Sequence, residues 1–219
     1  MLVDSHSHLF LEEFAEDLPF VMERARAAGV THIFMPNIDS TTIEPMLSVC
    51  DTYRDFCFPM IGLHPTSVNE SYEKELEIVA ANLETSGRFV AVGEIGIDLY
   101  WDKTWLKEQL IAFEKQVQWA LHYQLPIVIH CREAFDYIYK VLQPYKNSGL
   151  TGIFHSFTGT PGEAVRMMEF PGFKIGINGV VTFKKSTLPE TLKSVPLERI
   201  VLETDSPYLT PVPNRGTGR

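Results

Sequence analysis

The sequence is short of cysteine and of positive charge, and both shortages restrict the function classes open to it. Its three cysteines, Cys50, Cys57 and Cys131, form no Cys-x-x-Cys pair and cannot all be joined in disulfides, which is typical of a reducing compartment. Lysine and arginine number 19 against 28 aspartates and glutamates, a net charge of −9. A negative net charge argues against a protein that wraps nucleic acid and gains its affinity from counterion release, although a polyanion could still bind at one local site.

Long apolar runs are absent as well. No stretch approaches the roughly 20 apolar residues of a membrane-spanning helix, and no basic segment leads into an apolar core as in a secretory signal. We therefore expect a cytoplasmic protein with no membrane contact and no stable protein partner. The 219 residues, 45% of them hydrophobic, suit a single α/β domain, because barrels of roughly 200 to 250 residues are ordinary single domains.

Apolar runs and helical patterns alternate along the whole chain. Eight runs are typical of buried strands, among them residues 89–93 and 125–129, and seven segments have helical spacing, the longest being residues 105–123. Strands that alternate with helices indicate a parallel sheet, and eight of them predict a closed (β/α)8 TIM barrel. We expect residues 1–219 to form one such domain.

Metal-binding residue types follow these predicted strands. His6 and His8, two apart after the first strand, are expected to point to one side, with the Asp4 carboxylate orienting one imidazole. The residues at the carboxyl ends of strands one, three, four, five, six and eight are His6, His8, His64, Glu94, His130, His155 and Asp205. In a TIM barrel these ends share the face on which active sites are built.

This set of ligands predicts a binuclear metal centre. Apart from His64, the set offers four imidazoles and two carboxylates. Such a mixture suits Zn, Mn, Fe or Co better than Mg alone, and six ligands are too many for one tetrahedral ion with an open position. We expect two ions roughly 3.5 to 4 Å apart, bridged by Glu94 and able to activate a hydroxide against a phosphoryl centre. One ion would be held by His6, His8 and Asp205, and the other by His130 and His155.

Further residues suggest an anionic substrate. Arg132 follows His130 by two positions and could grip two phosphate oxygens at once. Lys184, paired with Lys185 after the seventh strand, is a second candidate contact, or else an ordinary exposed turn. His64 is a candidate for substrate binding. Glu203, a candidate substrate contact, could accept a hydrogen bond from a metal ligand or take up a proton, or it could be a buried carboxylate satisfied by neighbouring backbone.

Several segments together resemble the TatD family of metal-dependent deoxyribonucleases, within the amidohydrolase superfamily. They are Asp-Ser-His-Ser-His at 4–8, Gly-Leu-His-Pro at 62–65, Val-Gly-Glu-Ile-Gly-Ile-Asp at 92–98, Leu-Pro-Ile-Val-Ile-His-Cys-Arg-Glu-Ala at 125–134, Phe-His-Ser-Phe-Thr-Gly at 154–159, Ile-Gly-Ile-Asn-Gly-Val-Val-Thr-Phe-Lys at 175–184 and Leu-Glu-Thr-Asp-Ser-Pro-Tyr-Leu-Thr-Pro-Val-Pro at 202–213. The resemblance implies two divalent ions (Mg, Mn or Zn) on His6, His8, Glu94, His130, His155 and Asp205.

The resemblance also implies hydrolysis of DNA phosphodiesters, often from the 3′ end of single strands. We expect Glu94 and Asp205 to be catalytic, with Asp205 taking or orienting the proton of the attacking hydroxide, and Arg132 to hold a phosphate oxygen. Members of the family usually continue into a further helical region, so a chain that stops at Arg219 predicts a shortened barrel.

Two other functions remain open at this point. Relatives in the superfamily hydrolyse carbon centres such as aminoacyl esters, amides or lactones. Glu94 on the fourth strand, where other branches bridge their metals with lysine, favours the nuclease. The other possible function is that of a non-catalytic scaffold protein.

Overall fold

A computed structural model describes residues 1–216 of the chain. Within them lie eight strands, β1 (Leu2–Asp4), β2 (Val30–Pro36), β3 (Cys57–Met60), β4 (Val92–Asp98), β5 (Ile127–Arg132), β6 (Gly152–Phe154), β7 (Phe173–Ile177) and β8 (Ile200–Leu202). They alternate with seven α-helices, α1 (Leu18–Ala27), α2 (Ser40–Thr52), α3 (Tyr72–Ser86), α4 (Leu106–Tyr123), α5 (Phe135–Leu142), α6 (Pro161–Met168) and α7 (Leu188–Leu192).

All strand pairs are parallel and follow the order of the sequence. One sheet contains β1, β2 and β3, and the other contains β4 to β8. A bridge between Ile61 and Val92 connects the two sheets. On the other side, the Ser5 amide donates to the Leu202 carbonyl at 3.0 Å, which places β8 beside β1. The predicted TIM-barrel architecture is confirmed.

Local sequence signals explain where these elements begin. At the start of α2, the Asp39 carboxylate accepts a hydrogen bond from the Thr41 amide, and the Thr42 hydroxyl accepts one from the Asp39 amide. Such reciprocal capping satisfies amides that the first helical turn leaves unpaired. Residues 127–129 of β5 are buried without alternation, as expected for a parallel strand covered on both faces.

The prediction for the fourth strand was wrong in its position. We expected residues 89–93 with Glu94 beyond them, but β4 continues to Asp98 because its backbone keeps pairing with β5, Gly96 opposite His130. A Cβ atom at Gly96 would lie 2.0 Å from the His130 carbonyl oxygen, so the close approach of the strands requires glycine. Glu94 and His130 therefore lie inside strands, which fixes their backbones on both sides.

Within residues 1–216, none of the helices combines the length and the apolar character needed to cross a membrane. The predicted shortening of the barrel at Arg219 lies outside the described residues.

Candidate metal centre

The predicted ligands come together at the carboxyl ends of the strands. His6, His8 and His155 lie just after strands, Glu94 lies inside β4, and all four are at most 4% exposed. The described residues contain three groups whose ligand atoms lie within 4.8 Å of one another: His6 with His8 and Asp205, His64 with Glu94 and His130, and His6 with His155 and Glu203.

The first group combines two imidazoles with one carboxylate. The Nε2 atoms of His6 and His8 lie 3.1 Å apart. Asp205 Oδ1 is 3.7 Å from the former and 3.5 Å from the latter. The Asp205 amide donates to the His6 carbonyl at 2.9 Å, so a backbone bond between the segments after β8 and β1 holds this group in place.

The second group includes His64, which we had expected to contact substrate. His64 Nε2 lies 3.5 Å from Glu94 Oε1 and 3.3 Å from His130 Nδ1. His130 Nδ1 is in turn 2.9 Å from Glu94 Oε1. The structure therefore groups His64 with His130 and Glu94, where we had expected His155, and His155 Nε2 lies 3.8 Å from the same Glu94 oxygen.

Glu94 lies between the two groups. Its Oε2 atom is 3.1 Å from His6 Nε2 and 3.8 Å from His8 Nε2, while Oε1 faces the second group. Each oxygen of one buried carboxylate is therefore presented to a different set of nitrogen atoms.

His155 packs against the first group and is held by Glu203. Its ring stacks on His6 with the centroids 3.4 Å apart. Its Nε2 lies 3.5 Å from Asp205 Oδ1, and its Nδ1 lies 3.1 Å from Glu203 Oε2. The other oxygen of Glu203 accepts a hydrogen bond from the Ser156 amide at 2.5 Å. Glu203 therefore lies behind an imidazole, where it orients His155.

Asp4 does not orient an imidazole, contrary to the prediction from the first strand. Its carboxylate accepts hydrogen bonds from the backbone amides of His6 and Thr204 and from the Thr204 hydroxyl. Burial raises the pKa of the Asp4 carboxyl to about 6, against the lowering effect of those hydrogen bonds. Asp4 joins the segments after β1 and β8, which both carry ligands.

Asp98, which the sequence analysis did not single out, contacts His130 from behind. Its Oδ2 atom lies 2.8 Å from His130 Nε2, on the side of the ring away from Glu94. Burial would lower the pKa of the His130 imidazole, but the hydrogen bonds to Asp98 and Glu94 outweigh it and raise that pKa to about 9. The signal was present in the spacing, since residues four apart on a strand share a face.

Two buried glutamines of α4 support this side of the site. Gln116 Oε1 accepts from the Leu63 amide at 2.7 Å, and its Nε2 donates to the Leu63 carbonyl at 3.4 Å. Gln109 makes the same pair of bonds to the Asp98 backbone, at 2.9 and 3.2 Å. One helix therefore fixes the residue before His64 and the residue behind His130.

The charges of the cluster depend on one another. Burial would raise the pKa of Glu94, but the imidazoles of His6, His64 and His155 outweigh it and hold that pKa well below its usual range. Burial would lower the pKa of His155, yet carboxylates led by Glu203 raise it well above its ordinary value. Carboxylates thus favour the protonated form of the His155 imidazole, while burial lowers the pKa of His6 and His64.

This set of donors fits divalent cations. Within the described part of the chain, neither Glu94 nor Asp205 forms an ion pair with lysine or arginine, and the basic side chains beside them are imidazoles. Buried carboxylates need compensating positive charge, and a cation on nitrogen and oxygen ligands supplies it.

The cluster forms the floor of a cavity of about 620 Å³. Arg132 lines this cavity and is exposed, with its guanidinium carbon 3.7 Å from the centre of the Tyr100 ring. Lys184 and Lys185 are exposed and do not line the described wall of the cavity. Of the predicted cationic contacts, the structure therefore brings Arg132 alone to the site.

Comparisons with known proteins identify relatives of the chain. The chain matches the family model described as TatD related DNase over residues 3–219. The Bacillus subtilis protein named uncharacterized metal-dependent hydrolase YabD is 36% identical over 99% of this chain and 84% of its own length. The Pantoea ananatis protein named 3′-5′ ssDNA/RNA exonuclease TatD is 31% identical over 96% of this chain and 81% of its own length.

A solved structure gives the same result for the fold. The crystal structure of YjjV, a TatD homologue from Escherichia coli, matches with a TM-score of 0.91 and 29% identity, covering 100% of this chain and 84% of that one. The chain therefore belongs to the family of TatD-related DNases and is a metal-dependent hydrolase.

Proposed function

We propose that the protein is a two-metal phosphodiesterase that removes nucleotides from the 3′ end of single-stranded DNA. The observation that carries the proposal is the position of Glu94, with Oε2 at 3.1 Å from His6 Nε2 and Oε1 at 2.9 Å from His130 Nδ1. A carboxylate shared in this way suits two cations roughly 3.5 to 4 Å apart. The name of the Pantoea ananatis relative supports the choice of strand and polarity.

The residues divide into two sets of ligands for Mg, Mn or Zn. His6, His8 and Asp205 would hold one ion, and His64 and His130 the other, with Glu94 shared and His155 beside the first. When bound, the ions would lower the pKa of water and polarise the phosphoryl oxygens.

The surrounding side chains have separate tasks in the reaction. Arg132 binds a non-bridging phosphate oxygen through its N–H groups. Asp205, whose pKa is held below its ordinary value by the nearby imidazoles against the effect of burial, stays ionised and orients the attacking water at Oδ1. The water gives up a proton to Asp205 as its oxygen forms a bond to phosphorus, the ester P–O bond breaks, and the leaving alcohol takes up that proton.

The test is a substrate panel with the metal-loaded protein. Its substrates are 5′-labelled single-stranded DNA, the same strand blocked at its 3′ end, RNA of the same sequence and an aminoacyl ester. We expect a ladder of single-nucleotide losses from the open DNA strand and none from the blocked one. Cleavage of the ester alone, or of the blocked strand equally well, would overturn the proposal.

A matched pair of variants checks that the activity belongs to this site. Glu94→Ala removes the shared carboxylate and should abolish cleavage. Glu84→Ala makes the same chemical change at an exposed position of α3 and should leave the ladder unchanged.

A further inference from the structure

The loop after β4 carries exposed aromatic side chains at the mouth of the cavity. In this aromatic loop (residues 99–105), Trp101 is 71% exposed and Tyr100 is 51% exposed. Trp101 lines the same cavity as the candidate metal ligands. A large exposed aromatic surface beside such a cavity is typical of a binding site, because removing aromatic surface from water lowers the free energy.

Arg132 is organised by these rings. Its guanidinium carbon lies 3.7 Å from the Tyr100 ring centre and 5.4 Å from that of Trp101. The two rings meet edge to face with their centres 5.0 Å apart. Arg132 forms no ion pair with any of the described residues, so aromatic contacts rather than a carboxylate hold its charge at the cavity mouth.

The aromatic loop is also attached to the metal centre through Asp98. One oxygen of this carboxylate accepts hydrogen bonds from the amides of Tyr100 and Trp101, at 2.9 and 3.2 Å. The other oxygen lies 2.8 Å from His130 Nε2. A molecule bound against Trp101 would therefore lie at a defined distance from His130, a candidate metal ligand.

We infer that Trp101 is a stacking platform for a nucleobase next to the cleaved phosphate, while Arg132 holds the phosphate itself. The inference rests on the proposed function and adds how the strand is recognised. A chain with a net charge of −9 gains little from counterion release. Stacking supplies affinity without a basic surface, and it selects single strands because their bases are free to lie on a ring.

The decisive experiment compares Trp101→Ala with Trp101→Phe in the metal-loaded protein. Stacking adds affinity that is the same in the ground and transition states. The alanine variant should therefore raise KM for a (dT)10 strand by about 5- to 150-fold with kcat nearly unchanged. Phenylalanine should restore most of the affinity. Phe20→Ala removes another exposed aromatic ring, 61% exposed on α1, and should leave KM unchanged.

A ten-residue strand of abasic sites separates base stacking from phosphate binding. Used as an inhibitor of (dT)10 cleavage, it should bind wild-type protein and Trp101→Ala equally. Arg132→Ala should weaken the binding of both strands. An unchanged KM in Trp101→Ala, or an equal loss of binding by the abasic strand, would overturn the stacking platform.

Tryptophan fluorescence keeps this result distinct from that of the proposed function. Binding of (dT)10 should quench the emission of Trp101, and Trp101→Phe should lose that quenching. Quenching without turnover would overturn only the nuclease proposal. If the protein turns over (dT)10 and Trp101→Phe keeps the full quenching, only the stacking platform is overturned. If neither quenching nor turnover is seen, both the platform and the nuclease proposal are overturned.

Discussion

Replacement of Asp98 by asparagine should weaken metal binding without unfolding the protein. Asp98 is 2% exposed and its Oδ2 lies 2.8 Å from His130 Nε2. A hydrogen bond with a charged partner is worth about 1.5 to 3 kcal/mol. Loss of a partner behind a metal-binding histidine costs about 10- to 100-fold in affinity, or about 1.4 to 2.7 kcal/mol. Asparagine retains an oxygen for the amides of Tyr100 and Trp101, so the aromatic loop should stay in place.

The measurement is a Zn²⁺ competition titration against a chelating dye, with circular dichroism to follow the fold. Asp102→Asn is the matched control, since this exposed carboxylate on the same loop bonds only locally, to the Thr104 amide at 2.7 Å. We expect the control to bind metal as the wild type does. Equal Zn²⁺ affinities for Asp102→Asn and a folded Asp98→Asn would refute the role of Asp98 behind His130.

Three further predictions concern packing, thiol reactivity and metal linkage. Gly96→Ala would place a Cβ 2.0 Å from the His130 carbonyl oxygen at a φ of +147°, so thermal melts should show a loss of about 3 kcal/mol or more. Gly162→Ala, with its nearest neighbour at 3.9 Å, should melt at or above the wild-type temperature. Burial raises the pKa of the Cys50 and Cys57 thiols to about 12, so their alkylation at pH 8 should be on the order of 10³-fold slower than that of a free thiol. Equal alkylation rates for the native protein and for the protein unfolded in urea would contradict this. Metal at 100 times its Kd should raise the free energy of unfolding by about 2.7 kcal/mol, and an identical melting temperature in chelator would count against a native metal site.

The sequence predicted the barrel well because its signals are local. Helical spacing predicted both ends of α4 to within one residue, and apolar runs predicted the number and order of the strands. Parallel strands of a barrel end on one face, so placing His6, Glu94 and Asp205 on that face required no knowledge of side-chain positions.

Distances across the barrel depend on more than strand order. The prediction paired His130 with His155, but the structure brings His64 to within 3.3 Å of His130 and stacks His155 on His6. Periodicity does not reveal how far each side chain reaches or which partner lies behind it. The spacing places Asp98 on the strand face of Glu94, but it does not reveal that His130 of the neighbouring strand is its partner.

The two buried glutamines of α4 bear on which ion the protein selects. Gln116 and Gln109 fasten the backbone at Leu63 and Asp98 to a single helix, and this attachment limits how far the backbone beside His64 and behind His130 can move. Mg²⁺ requires near-octahedral oxygen coordination, whereas Zn²⁺ accepts four ligands of mixed type. We therefore expect helix α4 to contribute to cation preference together with the histidines, because it helps to set how the ligands around a bound ion are arranged.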